Sequence, residues 1–93
     1  MPRYRMNPVE IEARQWDGSA AEMHHIIAWV LENGGRASVA SGYLHQGPDV
    51  IRIETLEGGL TVMPHDYIVM GVNGVFYPCK PNDFEETYVQ VGD

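Results

Sequence analysis

The sequence predicts an α+β domain in which one amphipathic helix packs on a strongly bent, mostly antiparallel sheet or small open β-barrel. The chain has 93 residues, 44% of them hydrophobic and 20% charged, which suits a single globular domain spanning residues 1–93. One clearly delimited helix precedes a series of short strand patterns separated by turn residues. A single helix does not cover both faces of a sheet, so the sheet is expected to curl on itself or to pair with a second copy.

The first half of the chain contains one predicted strand and the helix. The strand spans about Asn7 to Trp16, because apolar and charged residues alternate along it. The helix follows Ser19, which forms a capping box with Glu22, and it stops at the Asn-Gly-Gly run of residues 33–35. Between these signals five apolar residues recur at helical spacing and form a stripe expected to be buried: Met23, Ile26, Ile27, Val30 and Leu31.

The second half is predicted to consist of short strands. Six segments have strand patterns: residues 37–41, 50–56, 60–63, 67–72, 75–77 and 88–91. Asn73-Gly74 is the preferred pair for a type I′ hairpin turn, because both turn residues need positive φ. Pro78 and Pro81 are expected to end the preceding strand, since proline donates no ladder hydrogen bond. Asn82 is the expected N-cap of a short helical turn.

The net charge narrows the class of partner. The formal net charge is −7 and the pI about 4.9, which argues against a general nucleic-acid binder with a basic stripe. Residues 1–53 carry five arginines and six acidic residues, a net of −1, whereas residues 54–93 carry Lys80 and seven acidic residues, a net of −6. The acidic half indicates either a solvated surface or a face that meets a basic partner.

The sequence predicts a soluble chain in the cytoplasm. No apolar run approaches the ~18 residues of a membrane span, and the first residues lack the apolar stretch of a signal peptide. The one cysteine, Cys79, excludes an intramolecular disulfide and a multi-cysteine zinc site. Stability is therefore expected to come from packing.

No metal site or cofactor is predicted from the four histidines. His24 and His25 lie about 100° apart on the helix, so they do not share a metal as residues i and i+4 would. His45 and His65 have no ligand spacing to other candidates. All four are interpreted as surface residues.

No catalytic residue is predicted either. Lys80 is the kind of cationic neighbour that activates a thiol, but Cys79 lies between two prolines and is expected to pack. Asp66 is interpreted as a turn residue, and Asp83 and Glu85 as charges at a helix start, rather than as an acid–base pair. The sequence therefore favours a binding function over an enzyme.

Trp29 is the main candidate for a partner contact. It falls about 140° from the centre of the apolar stripe, which predicts that it points outward, and His25 lies one turn before it. The alternative is that the sheet or the N-terminal arm folds over this indole. Tyr43, Tyr77 and Lys80 are further candidates for a contact surface.

Several segments of the chain resemble a family of small accessory proteins of tailed bacteriophages and prophages. The most distinctive is Phe-Tyr-Pro-Cys-Lys-Pro at residues 76–81, and further segments lie at residues 4–18, 55–58, 64–68, 71–74 and 84–88. The similarity covers nearly the whole chain except residues 37–49. The chain departs from the family at His65, where glycine is common, and at Asn73 and Val75, where lysine and glutamate are usual.

The resemblance implies a phage accessory protein that acts in the bacterial cytoplasm. The leading hypothesis is a non-catalytic protein that binds and modulates a host protein, in host takeover or counter-defence. The alternative is a binder of a nucleotide signal that uses Arg36, Arg52 and Lys80 for pairing, and the third is a small enzyme. A homodimer is also predicted, with Trp29 or the second face of residues 67–70 in the contact.

Overall fold

The computed structural model of the chain describes residues 3–6, 9–41, 48–87 and 89–91. These residues form eight strands and two helices: β1 (Arg3–Met6), β2 (Val9–Gln15), α1 (Ala20–Glu32), β3 (Arg36–Ala40), β4 (Val50–Thr55), β5 (Gly58–Val62), β6 (Tyr67–Met70), β7 (Phe76–Cys79), α2 (Pro81–Thr87) and β8 (Val89–Val91). The predicted α+β class and the antiparallel pairing are confirmed.

The described strands are divided between two sheets. One sheet has the order β7-β6-β2-β1-β8 and the other the order β3-β4-β5, and every pair is antiparallel. The strand β1 was not predicted as a separate element, since its four residues are too short for a periodic pattern. Helix α1 contacts β3 and β4, and β5 lies beside β7, so the two sheets wrap around a shared core without closing into a barrel.

The predicted limits of helix α1 are correct. Ser19 is the N-cap, and its Oγ accepts a hydrogen bond from the Glu22 N–H at 3.1 Å. The reciprocal half of the predicted capping box does not form, because the Ser19 N–H donates to Asp17 Oδ1 at 2.8 Å. After the helix Gly34 has φ +89°, the left-handed conformation that glycine adopts without strain.

The buried face of α1 is rotated relative to the predicted stripe. Met23, Ile26 and Val30 are buried as expected, but Trp29 is only 2% exposed and Leu31 is 52% exposed. The predicted outward orientation of Trp29 is therefore wrong. Both sheets contribute to the core that α1 contacts, so the neighbouring strands determine which flank of the stripe is covered. The principal core contains Trp16, Met23, Ile26, Trp29, Val30, Val50, Ile51, Ile53, Val62, Ile68 and Phe76.

A second, smaller core covers the opposite face of the five-stranded sheet. Its buried members are Ile11, Ala13, Tyr67, Val69 and Phe84. Helix α2 provides Phe84, whose ring stacks on Tyr67 with centroids 3.9 Å apart. Both faces of β6 are thus covered within one chain. The two surfaces on which the predicted homodimer rested, Trp29 and the second face of residues 67–70, are buried, and dimerisation itself stays a prediction.

The turn between β6 and β7 differs from the predicted type I′ turn. Only Gly74 has positive φ there, at +80°, and Asn73 does not. The Gly74 N–H donates to the Gly71 oxygen at 2.9 Å, and the Gly71 N–H donates to the Val75 oxygen at 2.8 Å. The loop therefore has three residues, for which a type I turn followed by one left-handed residue is the usual solution.

Two predictions near the end of β7, one for Pro78 and one for the helix cap, also need correction. Pro78 does not end the strand but lies inside β7, opposite Ile68. It is tolerated because β7 is at the edge of its sheet, where one side of the strand has no ladder to complete. Helix α2 begins at Pro81, one residue before the predicted N-cap Asn82, and the Phe84 N–H donates to the Lys80 oxygen at 2.9 Å.

Candidate functional site

Three turns that are distant in sequence converge at one end of the molecule. They are the segment between α1 and β3, the β4–β5 turn and the β6–β7 turn, and they surround a cleft of about 560 Å³. We call this the end cleft. Its principal lining residues are Gly35, Arg36, Glu54, Leu56, Glu57 and Val75. The cleft volume lies in the range typical of ligand pockets.

The floor of the end cleft depends on Gly35. A Cβ atom at this position would lie 2.6 Å from the ring of Phe76 and 2.8 Å from Val30. Both neighbours belong to the principal core, and the Phe76 ring packs edge-to-face on Trp29 with centroids 5.3 Å apart. The absence of a side chain at Gly35 therefore lets this part of the cleft wall lie directly on the outer surface of the core.

The rim of the end cleft carries exposed apolar side chains. Leu56, at the tip of the β4–β5 turn, is fully exposed, and Val75 in the β6–β7 turn is about half exposed. Val72, also in that turn, is 74% exposed. The sequence placed Leu56 in a strand, but β4 ends at Thr55, whose Oγ1 donates to the Gly58 oxygen at 2.7 Å and closes the turn. Apolar side chains at two neighbouring hairpin tips are typical of a contact surface.

The charged residues of the end cleft are unequally partnered. Glu54 Oε2 accepts a hydrogen bond from Arg52 Nε at 2.6 Å, and the Arg52 guanidinium lies over Gly59, which has no side chain to displace it. Arg36 faces Glu54 in the β3–β4 register. Within the described part of the chain, neither Arg36 nor Glu57 forms an ion pair. The cleft thus holds one satisfied carboxylate, one available carboxylate and one available guanidinium.

The structure does not bring the predicted contact residues together. Trp29 is buried beneath the Arg14 guanidinium, 5.2 Å from its ring centroid, so it offers no surface. His25 is exposed on α1 and lies 3.4 Å from Glu22 Oε1. Tyr77 packs against the smaller core, on the α2 side of the five-stranded sheet. Tyr43 lies outside the described residues, as does His45.

Lys80 lies at the other end of the β6–β7 hairpin and pairs with a buried carboxylate. Its Nζ donates to both oxygens of Asp66 at 3.1 Å, with the Lys80 side chain 64% exposed and Asp66 only 3% exposed. Asp66 Oδ2 also accepts the Met63 N–H at 3.0 Å, while the Asp66 N–H donates to the Met63 oxygen. Asp66 is a turn residue as interpreted, and its burial and its partner Lys80 were missed.

The environment of Cys79 opposes a nucleophilic role. Partial burial against the smaller core raises the pKa of this thiol, and the nearby carboxylates of Asp83 and Asp66 raise it further. The neighbouring Lys80 ammonium, which sequence reasoning considered as an activator, is instead bound to Asp66. A thiol with a raised pKa is mostly protonated near neutral pH and is a weak nucleophile.

The chain matches no protein-family model, no curated protein and no solved structure. Among the described residues, no three or more His, Cys, Asp or Glu side chains are grouped so that they could hold a metal ion. No helix in the described part of the chain is long and apolar enough to cross a membrane.

Sequence reasoning missed most of the end cleft. Arg36 was named as a charged contact, but Gly35, Leu56 and Val75 were not connected with a site. Turn signals at Asn-Gly-Gly, Glu-Gly-Gly and Asn-Gly mark the three segments in the sequence. Their convergence depends on how the two sheets pack, which no local pattern encodes.

Proposed function

We propose that this chain is a non-catalytic accessory protein of a tailed bacteriophage that acts in the host cytoplasm by binding a host protein at the end cleft. The observation that carries the binding role is the exposed apolar rim of Leu56 and Val75 around a cleft whose wall at Gly35 lies directly on the core. The phage assignment and the cellular location are supported by the sequence resemblance. Trp29 is buried, and the cleft is lined instead by Phe76, on whose ring Trp29 packs.

The charges of the end cleft favour a protein partner over a nucleotide signal. A nucleotide needs clustered cations for its phosphates. The three cations considered for that role are separated: Arg36 lines the cleft, Arg52 is held by Glu54, and Lys80 is held by Asp66 at the other end of the hairpin. Glu54 and Glu57 line the same cleft and would repel phosphate oxygens.

The third hypothesis is a small enzyme, and the raised pKa of Cys79 weighs against the form of it in which this thiol is the nucleophile. A binding site has fewer structural requirements than a catalytic site, because binding needs a complementary surface and catalysis also needs an aligned base and oxyanion donors. The apolar rim provides such a surface.

The experiment is a comparative capture from a lysate of a bacterial host of such phages. The wild-type chain is compared with the double variant Leu56→Ser/Val75→Ser, and with Val39→Ser/Met63→Ser as a matched control. Val39 and Met63 are each 45% exposed and do not line the end cleft. We expect a host protein that the wild type and the control retain and the cleft variant loses. Equal retention by the cleft variant would remove the cleft from the proposal.

A further inference from the structure

The end cleft has room for a few side chains of a protein segment. Its volume of about 560 Å³ is that of a small-ligand pocket, and its mouth is formed by two hairpin tips and the start of β3. Gly35 lies so close to the Phe76 ring that a side chain there would not fit without a shift of the core. A flexible or extended segment can place side chains between the tips, whereas the flat surface of a folded domain meets only the rim.

The apolar rim selects one feature of such a segment. Leu56 lies in the β4–β5 turn and Val75 in the β6–β7 turn. Both side chains are exposed, and both residues line the cleft. An apolar side chain inserted between them removes three apolar surfaces from water at once, which stabilises the complex in proportion to the area covered. The segment therefore needs an apolar anchor residue.

The charges select a second feature. Glu57 makes no side-chain hydrogen bond or ion pair among the described residues, although its N–H donates to Thr55 Oγ1 at 3.2 Å. The Glu57 carboxylate is thus free to accept a cation, and Arg36 is free to donate to backbone carbonyl oxygens of the same segment. The chain as a whole carries a formal net charge of −7, which adds a long-range attraction for a cationic segment.

We infer that the occupant of the end cleft is a protein segment in which an apolar side chain is flanked by lysine or arginine. The apolar side chain lies between Leu56 and Val75, and the flanking cation pairs with Glu57. This inference rests on the proposed function, and it names the chemistry of the partner at that same site.

The test uses synthetic peptides and amide resonances of the isotopically labelled full chain in 150 mM salt. The probe is acetyl-Gly-Ser-Lys-Leu-Lys-Ser-Gly-amide. Two comparison peptides replace either both lysines by glutamate or the leucine by serine. We expect the probe to shift the amide resonances of residues 34–36, 55–57 and 74–76, and to bind at least about fivefold more tightly than either comparison peptide. Shifts centred elsewhere, or equal binding of the acidic peptide, would overturn the inference.

Two variants separate local pairing from net charge. Glu57→Gln and Glu85→Gln each remove one negative charge, but Glu85 is on helix α2 and does not line the cleft. We expect Glu57→Gln to weaken binding of the probe by about two- to fivefold, the usual range for an exposed ion pair, and Glu85→Gln to leave it within error. Equal weakening by both variants would show that only net charge matters, contrary to the inference. If the probe fails while Leu56→Ser/Val75→Ser still loses the host protein, the docking site stands and the cationic segment does not.

Discussion

The two ends of the β6–β7 hairpin differ in how completely their polar groups are satisfied. At one end Asp66 is buried, accepts the Met63 N–H and binds Lys80, and the Trp16 N–H donates to its backbone oxygen at 3.1 Å. At the other end, where the β4–β5 turn joins the β6–β7 turn around the end cleft, Leu56 and Val75 are exposed, and Glu57 lacks an ion-pair partner among the described residues. A region whose buried polar groups all have hydrogen-bond or ion-pair partners indicates a structural role. A region with exposed apolar side chains and an unpaired charge indicates a binding surface.

The largest expected effect is at the Asp66 end. Asp66→Ala removes the acceptor of the Met63 N–H, which is then left without its side-chain partner, and it also removes the ion pair with Lys80. We expect a loss of about 2–4 kcal/mol in the free energy of unfolding, most of it from the unsatisfied donor. Denaturant unfolding measures it. Lys80→Met is the control and should cost less than Asp66→Ala, because it keeps the acceptor of the Met63 N–H and its ammonium is largely exposed. Equal costs would show that the ion pair, not the turn, holds this end together.

The second effect concerns the cleft floor. Gly35→Ala places a methyl group within 2.8 Å of Phe76 and Val30, neither of which can move without disturbing the core. We expect a loss of about 1–3 kcal/mol, the usual cost of overpacking. Gly34→Ala provides a contrast, because its Cβ would meet open space and the cost would come only from φ +89°. Thermal unfolding of the two variants compares the cost of overpacking at Gly35 with the cost of backbone strain at Gly34. A neutral Gly35→Ala variant would mean that the floor is adjustable.

Part of this fold can be predicted from sequence, and the parts that cannot are non-local. The limits of α1 follow from Ser19 and Gly34, because capping and left-handed termination are local chemistry. Trp29 was misplaced because a helical wheel gives the width of the apolar stripe but not which flank the strands cover. The pairing of Asp66 with Lys80 joins residues 14 positions apart, and the end cleft joins three turns.

The third effect is a predicted gain in stability at the Asp66 end. His65 has φ +75°, directly after Pro64, and the Asp66 N–H bonds to the Met63 oxygen, which defines a type II turn that favours glycine at this position. We expect His65→Gly to raise the free energy of unfolding by about 0.5–1 kcal/mol, since relief of strain exceeds the added chain entropy. His65→Ala keeps the strain and should not stabilise. A destabilised His65→Gly variant would show that the imidazole makes a contact worth more than the strain.

The fourth effect is close to zero and concerns the cleft rim. Leu56→Ser should change the free energy of unfolding by no more than about 0.5 kcal/mol, because its side chain is fully exposed. The same substitution is expected to weaken partner capture, so stability and binding should separate at this residue. Calorimetry and capture on one preparation make the comparison. A marked loss of stability would assign Leu56 to the folded core and remove the main support for a binding surface.

The smallest effect is the pH dependence contributed by Cys79. Burial and the carboxylates of Asp83 and Asp66 raise the pKa of this thiol in the folded chain above the value of about 8.5 that an unfolded thiol has. Well below pH 8.5 the thiol is protonated in both the folded and the unfolded state, and it leaves stability unchanged. As the pH rises toward the pKa of the folded chain, the unfolded state loses its proton first, so the free energy of unfolding falls. Cys79→Ala should reduce this loss of stability at alkaline pH.

Alkylation of Cys79 by iodoacetamide provides an independent measurement of the same pKa. The alkylation rate should reach half of its maximum at a higher pH in the folded chain than in urea. A lower midpoint in the folded chain would mean that Lys80 activates the Cys79 thiol. The hypothesis of an enzyme with a thiol nucleophile would then apply to the Asp66 end of the hairpin, to which we assign a structural role.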